Sequence, residues 1–148
     1  PDFALDLGQT LTANDMGWLR MTDEANYTKG NLYQARSVEG TFIPASANGY
    51  APDFAGTQFL YNPAPGERNI VTIKLTGQRL GTDGDFAAAN LEAGLSRTPQ
   101  NYTWHHLDDF DPATGTSTMQ LVRSDVHNSL KHTGSVKQFE LFHNVEYR

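Results

Sequence analysis

Apolar and polar residues alternate most regularly in residues 69–76. Val71, Ile73 and Leu75 are each followed by a polar residue. A repeat of two places these three apolar side chains on one face of an extended chain. The segment therefore predicts a strand with one buried side and one exposed side.

Residues 85–95 follow a glycine-rich turn and contain four alanines. That composition predicts a helix, and Thr82 or Asp83 is the expected N-cap because a side-chain oxygen there can accept a free backbone N–H. Residues 102–106 are short and aromatic, which predicts a second strand.

The next segments complete a recurring local order. Residues 108–115 contain the Asp, Pro and Gly residues of a turn-rich connection, and residues 118–122 predict a strand. Ser124 or Asp125 can cap a helix after that strand, and Gly134 is expected to end it in the left-handed conformation. The predicted order is strand, loop, strand, helix.

The two ends of the chain carry weaker signals. In residues 136–147, apolar or aromatic residues occupy every second position from Phe139 to Tyr147. This pattern favours a strand and does not exclude a helix. Residues 1–65 are rich in Gly, Asn, Thr, Ser and Pro, so we expect short strands and loops there. The predicted fold class is α+β.

Length and composition indicate one folded domain. The chain has 148 residues, 38% of them hydrophobic, and this supports a modest core and argues against a disordered tail. Within residues 1–148 we distinguish an N-terminal portion, 1–65, from a C-terminal portion, 66–148, that contains the candidate site residues. No apolar run is long enough to cross a membrane. The missing initiator Met suggests a C-terminal piece of a longer protein.

Charge and cysteine content narrow the chemistry. A net charge of −6 argues against a protein that coats nucleic acid, although an enzyme could still touch phosphates locally. Residues 1–65 contain seven acidic and three basic residues, a net charge of −4. That portion is either a solvated surface or a surface for a basic partner. Cysteine is absent, so any tight metal site must use His and carboxylate ligands.

Four of the five histidines lie within residues 103–134. Imidazole is the commonest metal ligand and the commonest general base near neutral pH, so the window predicts one site with both. His105 and His106 are adjacent on a predicted strand and must face opposite sides, which suggests that one binds metal and the other meets substrate. His127 and His132 are five positions apart, about 140° around a helix, so His132 is expected where the helix has unwound.

Other residues in the window have more ordinary expected roles. Trp104 is expected to anchor packing, and His143 lies outside the pattern. Asp108 and Asp109 are expected to be solvated loop acids. Arg79 and Asp85 are candidates for either a structural ion pair or a phosphate clamp.

Several motifs together resemble the HNH, or ββα-metal, nucleases of the endonuclease VII superfamily, and among them the toxin nucleases with a Trp-His-His signature. The matching motifs are Leu-Thr-Gly-Gln-Arg at 75–79, Asp-Phe-Ala-Ala-Ala-Asn at 85–90, Tyr-Thr-Trp-His-His at 102–106, Met-Gln-Leu-Val at 119–122 and His-Thr-Gly at 132–134. The resemblance covers roughly residues 70–135 and leaves residues 1–65 uncovered.

The resemblance implies a role for each residue of the site. His105, His127 and His132 match metal ligands, and His106 matches the general base that deprotonates the attacking water. Gln120 stands where the family has Asn, with an amide that holds loop backbone and keeps the base oriented. Further candidates for phosphate binding or structural support are Arg79, Asp85 and Lys131.

The implied function is a low-specificity, metal-dependent endonuclease that hydrolyses DNA. The resemblance further implies one divalent ion (Zn, Mg, Ni or Mn), a cognate immunity protein, and a secreted or delivered bacterial toxin that acts in the target-cell cytoplasm. The lack of a long apolar run predicts no membrane partner. Two alternative functions remain open. One is a zinc-stabilised nucleic-acid-binding module without catalysis, and the other is a different metallohydrolase, in which a metal ion held by three histidines activates water against an ester or amide.

Overall fold

The computed structural model describes residues 32–148. Five strands and three helices lie in this part of the chain. The strands are β1 (Arg36–Val38), β2 (Thr41–Ile43), β3 (Ile70–Lys74), β4 (Tyr102–His106) and β5 (Thr116–Arg123). The helices are α1 (Asp85–Ala93), α2 (Ser124–Ser129) and α3 (Ser135–His143). The predicted α+β class, with small antiparallel sheets, is confirmed. Among the described helices, none has the length and hydropathy of a membrane span.

The central unit is a hairpin followed by a helix. β5 lies between β3 and β4 and pairs with both in antiparallel fashion. Helix α2 starts directly after β5, which gives the ββα order expected from the sequence. In the β4–β5 register, His105 lies opposite Gln120 and His106 lies opposite Met119. Because directly paired residues share a face, Gln120 lies on the same face of the sheet as His105, and Met119 lies on the same face as His106.

The strand favoured for residues 136–147 is wrong, because this segment contains helix α3. The backbone N–H of Ser135 donates to the Leu107 carbonyl at the start of the helix. One turn later, the Gln138 side chain donates to the Asp108 carbonyl and accepts from Phe110 N–H. These bonds fix the segment against the β4–β5 connection. The alternation of apolar and aromatic residues in the sequence is compatible with a helix when tertiary hydrogen bonds hold one face of that helix.

Three cap predictions are also wrong. The N-cap of α2 is Arg123, without a side-chain cap hydrogen bond, and not Ser124 or Asp125. In the other two cases a glycine allows close backbone contact. The N-cap of α1 is Gly84, not Thr82 or Asp83, and a Cβ at Gly84 would lie 2.5 Å from the Leu80 carbonyl oxygen. Gly134 does not end α2 in a left-handed conformation. It precedes α3 in an extended conformation, and a Cβ there would lie 2.8 Å from the His106 carbonyl oxygen.

The described part of the N-terminal portion packs directly on the ββα unit. One buried cluster contains Trp104, Met119 and Leu121 with β3 and α1 residues. A second cluster joins residues from both portions of the chain: Tyr33, Ile43, Phe54, Phe59, Val122, Val126 and Leu130. Five of the seven acidic residues of 1–65 lie in 1–31, outside the described residues, so their predicted partner surface is not described.

This shared cluster predicts that residues 66–148 alone do not fold. Removal of Tyr33, Ile43, Phe54 and Phe59 exposes the β5 and α2 side chains that they cover. The side chains exposed are Val122, Val126 and Leu130. At about 1.5–3 kcal/mol for each of these three, the loss is roughly 4.5–9 kcal/mol, comparable to the whole stability of a small domain. A cooperative thermal transition of the 66–148 fragment, followed by circular dichroism, would contradict this expectation.

Candidate functional site

Three histidines meet on one face of β4. His105 is on the strand, His127 is on α2, and His132 lies beyond the end of that helix at Ser129, where its spacing placed it. The ring centroids are 5.1 Å apart for His105 and His127, 4.8 Å for His105 and His132, and 4.9 Å for His127 and His132. Each ring offers a nitrogen within 4.8 Å of the other two.

Hydrogen bonds to backbone carbonyls assign the tautomers of His105 and His132, and the His127 ring has a longer side-chain contact. His105 Nε2 donates to the Pro52 carbonyl over 2.8 Å, and its buried Nδ1 has no hydrogen-bond partner among residues 32–148. His132 Nδ1 donates to the Leu130 carbonyl over 2.6 Å, and His127 Nδ1 lies 3.4 Å from Asn128 Oδ1. A lone pair therefore remains on Nδ1 of His105 and on Nε2 of His132, and Nε2 of His127 carries one when its Nδ1 donates to Asn128.

All three rings are held neutral. Burial, followed by the proximity of His132 and His127, places the pKa of His105 well below its usual value. Burial and then the neighbouring His132 lower the pKa of His127 to about 4, and burial also lowers the pKa of His132. Neutral imidazoles with one hydrogen-bonded nitrogen and one lone pair are the donor set that a divalent transition-metal ion requires. The orphaned Nδ1 of His105 and the neutral cluster therefore fit such an ion.

His106 faces the opposite side of β4. It lines a cleft of about 440 Å³ whose wall also includes Arg79, Phe86, His127, His132 and Lys137. His106 Nε2 lies 2.8 Å from Asp85 Oδ2, which leaves Nδ1 as the unprotonated nitrogen when Nε2 donates. Two members of the three-histidine cluster, His127 and His132, thus line the same cleft as His106, which faces the other side of β4.

Asp85 is completely buried and accepts from four donors. Thr76 donates through its backbone N–H and its hydroxyl to Oδ1, while His106 and the Tyr147 hydroxyl contact Oδ2. Burial raises the pKa of Asp85, but the hydrogen bonds from His106, Tyr147 and Thr76 outweigh it and lower the pKa overall. The carboxylate is therefore ionised, and both groups on Oδ2 must act as donors.

The two roles considered for the Arg79 and Asp85 pair need correction. Asp85 cannot bind phosphate because it is an enclosed anion whose acceptor positions are filled. Among the described ion pairs, its only partner is His106. Arg79 instead lies over the Tyr147 ring, with its Cζ 5.5 Å from the ring centroid, and lines the cleft. Of these two residues, Arg79 remains a candidate for phosphate binding and Asp85 does not.

Gln120 does not orient His106, contrary to the role that the resemblance implied. Its register opposite His105 places it on the other face of the sheet from His106. There Gln120 Oε1 accepts from Phe54 N–H over 2.9 Å, and Nε2 donates to Asp53 Oδ1 over 2.8 Å. The amide does hold loop backbone, but the loop is the one that presents the Pro52 carbonyl to His105.

We expect Gln120→Leu to weaken metal binding about tenfold, because the loop that orients His105 loses its anchor. It should also destabilise the fold by about 1–3 kcal/mol, since Phe54 N–H is left buried without its acceptor. Isothermal titration calorimetry and thermal melts measure the two effects. Gln58→Leu is a matched control, because Gln58 bonds to Thr41 on an exposed surface. Equal metal affinity in Gln120→Leu and wild type would contradict the anchoring role.

The lysine that lines the cleft is not the one expected from the sequence. Lys131 is exposed and does not line the cleft, so the structure gives it no part in phosphate binding. Lys137, which sequence reasoning missed, lines the cleft from α3 and lies 3.9 Å from Glu140. The strand interpretation of residues 136–147 concealed it.

The acids of the β4–β5 connection are structural, not solvated. Asp108 is fully buried and accepts from Tyr50 N–H, and burial raises its pKa. Asp109 accepts from the backbone and hydroxyl of Thr118. Trp104 is 1% exposed and donates to Asn90, which agrees with a packing role, and His143 is exposed outside the cleft.

Comparison with known protein families gives a match to part of the chain. Residues 94–142 match a family model described as a nuclease of the HNH/ENDO VII superfamily with conserved WHH. The chain contains this Trp-His-His sequence at residues 104–106. No curated protein and no solved structure matches the chain. The resemblance predicted from the sequence is confirmed over the matched segment, which contains β4, β5, α2 and most of α3.

Proposed function

From the premise that residues 94–142 form a segment of the HNH/ENDO VII nuclease type, we propose that this chain is a metal-dependent endonuclease that hydrolyses DNA with little base specificity. One observation carries the proposal. The cleft that His106 lines is also lined by His127 and His132. His106, which bonds to the Asp85 carboxylate, and two members of the neutral three-histidine cluster therefore border the same cleft.

His105, His127 and His132 would hold the divalent ion. When bound, the ion supplies Lewis acidity and positive charge for the scissile phosphate. Three neutral ligands leave the full charge of the ion available, whereas carboxylate ligands would reduce it. The ligand type favours Zn or Ni by affinity, while Mg and Mn remain metals to be tested.

His106 acts as the general base in this proposal. Its Nδ1 accepts a proton from the water that attacks phosphorus, and Nε2–H remains bonded to Asp85 throughout. The ionised carboxylate stabilises the imidazolium that forms and keeps the ring in one tautomer. A zinc-stabilised binding module would need no such buried pair, and this favours the nuclease over that alternative.

Arg79 and Lys137 are the proposed phosphate contacts. Both line the cleft beside His106, Arg79 from the loop between β3 and α1 and Lys137 from α3. Cations that neutralise backbone phosphates hold a nucleic acid without reading its sequence, which supports low base specificity.

Incubation of the purified protein with supercoiled plasmid, with and without EDTA, tests the function. We expect nicked and linear DNA after reloading with Zn, Ni, Mn or Mg, and no cleavage in EDTA. A parallel reaction with single-stranded RNA decides substrate preference. DNA binding without cleavage would support the zinc-module alternative. Hydrolysis of model esters or amides with intact nucleic acid would support another metallohydrolase.

We further propose that the nuclease serves as a toxin domain delivered into a target-cell cytoplasm and is inhibited by a cognate immunity protein. The support is the resemblance to Trp-His-His toxin nucleases. Expression in the bacterial cytoplasm should arrest growth for the wild type and not for His106→Ala, and co-expression of the immunity protein should restore growth. Normal growth with active, soluble wild-type protein would argue against the toxin role.

A further inference from the structure

The chain beyond α3 returns to the wall of the cleft. Asn144 ends the helix with φ of 53°, and Tyr147 N–H then donates to the Glu140 carboxylate over 2.8 Å. Arg148 N–H donates to the Gly77 carbonyl over 2.9 Å, and Arg79 N–H donates to the Arg148 carbonyl over 3.1 Å. These residues lie beyond the matched segment 94–142, so nothing in that match assigns them a role.

The Tyr147 side chain points from this segment into the interior. It is 7% exposed, and its hydroxyl bonds to Asp85 Oδ2, the oxygen that also contacts His106. The Tyr147 ring lies edge-on to His106, with centroids 6.3 Å apart. Burial and the Asp85 hydrogen bond raise the pKa of Tyr147, so its hydroxyl remains a donor.

Asp85 receives support from two sides of the molecule. Thr76 fixes Oδ1 from the end of β3, whereas Oδ2 is shared by His106 and Tyr147. Without the tyrosine hydroxyl, Oδ2 loses the donor that opposes His106, and the carboxylate can rotate about its side-chain bond. The His106 ring would then lose the partner that fixes its orientation.

We propose that Tyr147 is a positioning residue: its hydroxyl holds the Asp85 carboxylate so that His106 keeps its proton on Nε2 and its lone pair on Nδ1. This inference rests on the proposed nuclease function and deepens it. Tyr147 acts on the reaction only through Asp85 and His106.

The ring of Tyr147 has a second, separable contact. The Arg79 guanidinium lies over it, so the ring helps to place the cation that we assign to phosphate binding. Removal of the hydroxyl alone should therefore slow the chemical step, while removal of the ring should also weaken substrate binding.

The test compares Tyr147→Phe with Tyr33→Phe in the full chain loaded with metal. Tyr33 is a matched control, because its buried hydroxyl also makes one hydrogen bond, to the Ile43 carbonyl, in a cluster away from the cleft. We expect Tyr147→Phe to lower kcat by roughly tenfold, the factor expected for a lost hydrogen bond to a charged group. KM should stay within about twofold because the ring under Arg79 remains. Tyr147→Leu should raise KM as well.

A second readout does not depend on cleavage. Long-range ¹H–¹⁵N NMR spectra should show His106 protonated on Nε2 in the wild type and in Tyr33→Phe, and a tautomer mixture in Tyr147→Phe. In an Asp85→Asn background, Tyr147→Phe should have no further effect on kcat. Equal kcat values for the two Phe variants, or a His106 tautomer unchanged by Tyr147→Phe, would overturn the proposal. A wild type that cuts no nucleic acid would overturn the proposed function instead, while the NMR comparison would still decide whether Tyr147 positions His106.

Discussion

Replacement of His106 with alanine is expected to slow DNA cleavage by about 10²–10⁴-fold, the usual contribution of a general base. Metal affinity should stay close to that of the wild type, because His106 lies on the opposite face of β4 from the three-histidine cluster and bonds to Asp85. Plasmid-cleavage rates and isothermal titration calorimetry with the same metal measure the two quantities on the same preparation.

His143→Ala provides the control for this variant. His143 is an exposed histidine that contacts Phe139 and Phe142 and does not line the cleft. Its replacement should leave cleavage and metal affinity unchanged. Loss of metal binding in His106→Ala would show that the roles of His105 and His106 have been assigned in the wrong order.

Replacement of His105 or His127 with alanine should abolish both metal binding and cleavage. The wild type should melt at a higher temperature with metal than in EDTA, because an ion that binds only the folded state adds about 2.7 kcal/mol at 100 times its dissociation constant. The two variants should lose this difference. His105→Ala should also destabilise the metal-free protein, since His105 is fully buried against Phe54 and leaves a cavity there.

Differential scanning calorimetry with and without EDTA decides this second expectation. His127→Ala is the cleaner of the two variants, because His127 is only partly enclosed and its loss disturbs packing less. A wild-type melting temperature that does not respond to EDTA, or a His127→Ala protein that is still stabilised by metal, would remove the basis for the proposed ligand set.

The local arrangement of the site could be predicted from the sequence because it depends on short-range periodicity. Adjacent residues on a strand face opposite sides, and this alone separates His105 from His106. The five-residue step from His127 to His132 does not fit one face of a helix, and α2 does end before His132. Strand β4 has the bounds expected for residues 102–106.

The contacts that support the site could not be predicted, because they join distant parts of the chain. Tyr147 and Asp85 are separated by 62 positions, and Gln120 and Phe54 by 66. No periodic pattern encodes such pairs. The sequence predicts solvated loop acids at Asp108 and Asp109 for the same reason, since their donors include Tyr50 and Thr118, outside the loop.

The sequence favours a strand where helix α3 lies, because the apolar residues of this segment satisfy two patterns. Phe139 and Leu141 suit alternation in a strand, yet both pack against the main core from a helix. The difference arises from tertiary hydrogen bonds at Ser135 and Gln138, which hold that face of the segment against the β4–β5 connection. A strand over residues 136–147 would also place Lys137 and Tyr147 differently, so the sequence pattern does not indicate their positions at the cleft.

The most direct measurement of the central claim is an anomalous difference map from crystals of the metal-loaded protein, collected at the absorption edge of the ion. We expect one peak, contacted by His105 Nδ1 and by Nε2 of His127 and His132, with His106 bonded to Asp85 and not to the ion. A peak held by His106, a site formed elsewhere by carboxylates, or a loaded protein without any peak at the three-histidine cluster would contradict it.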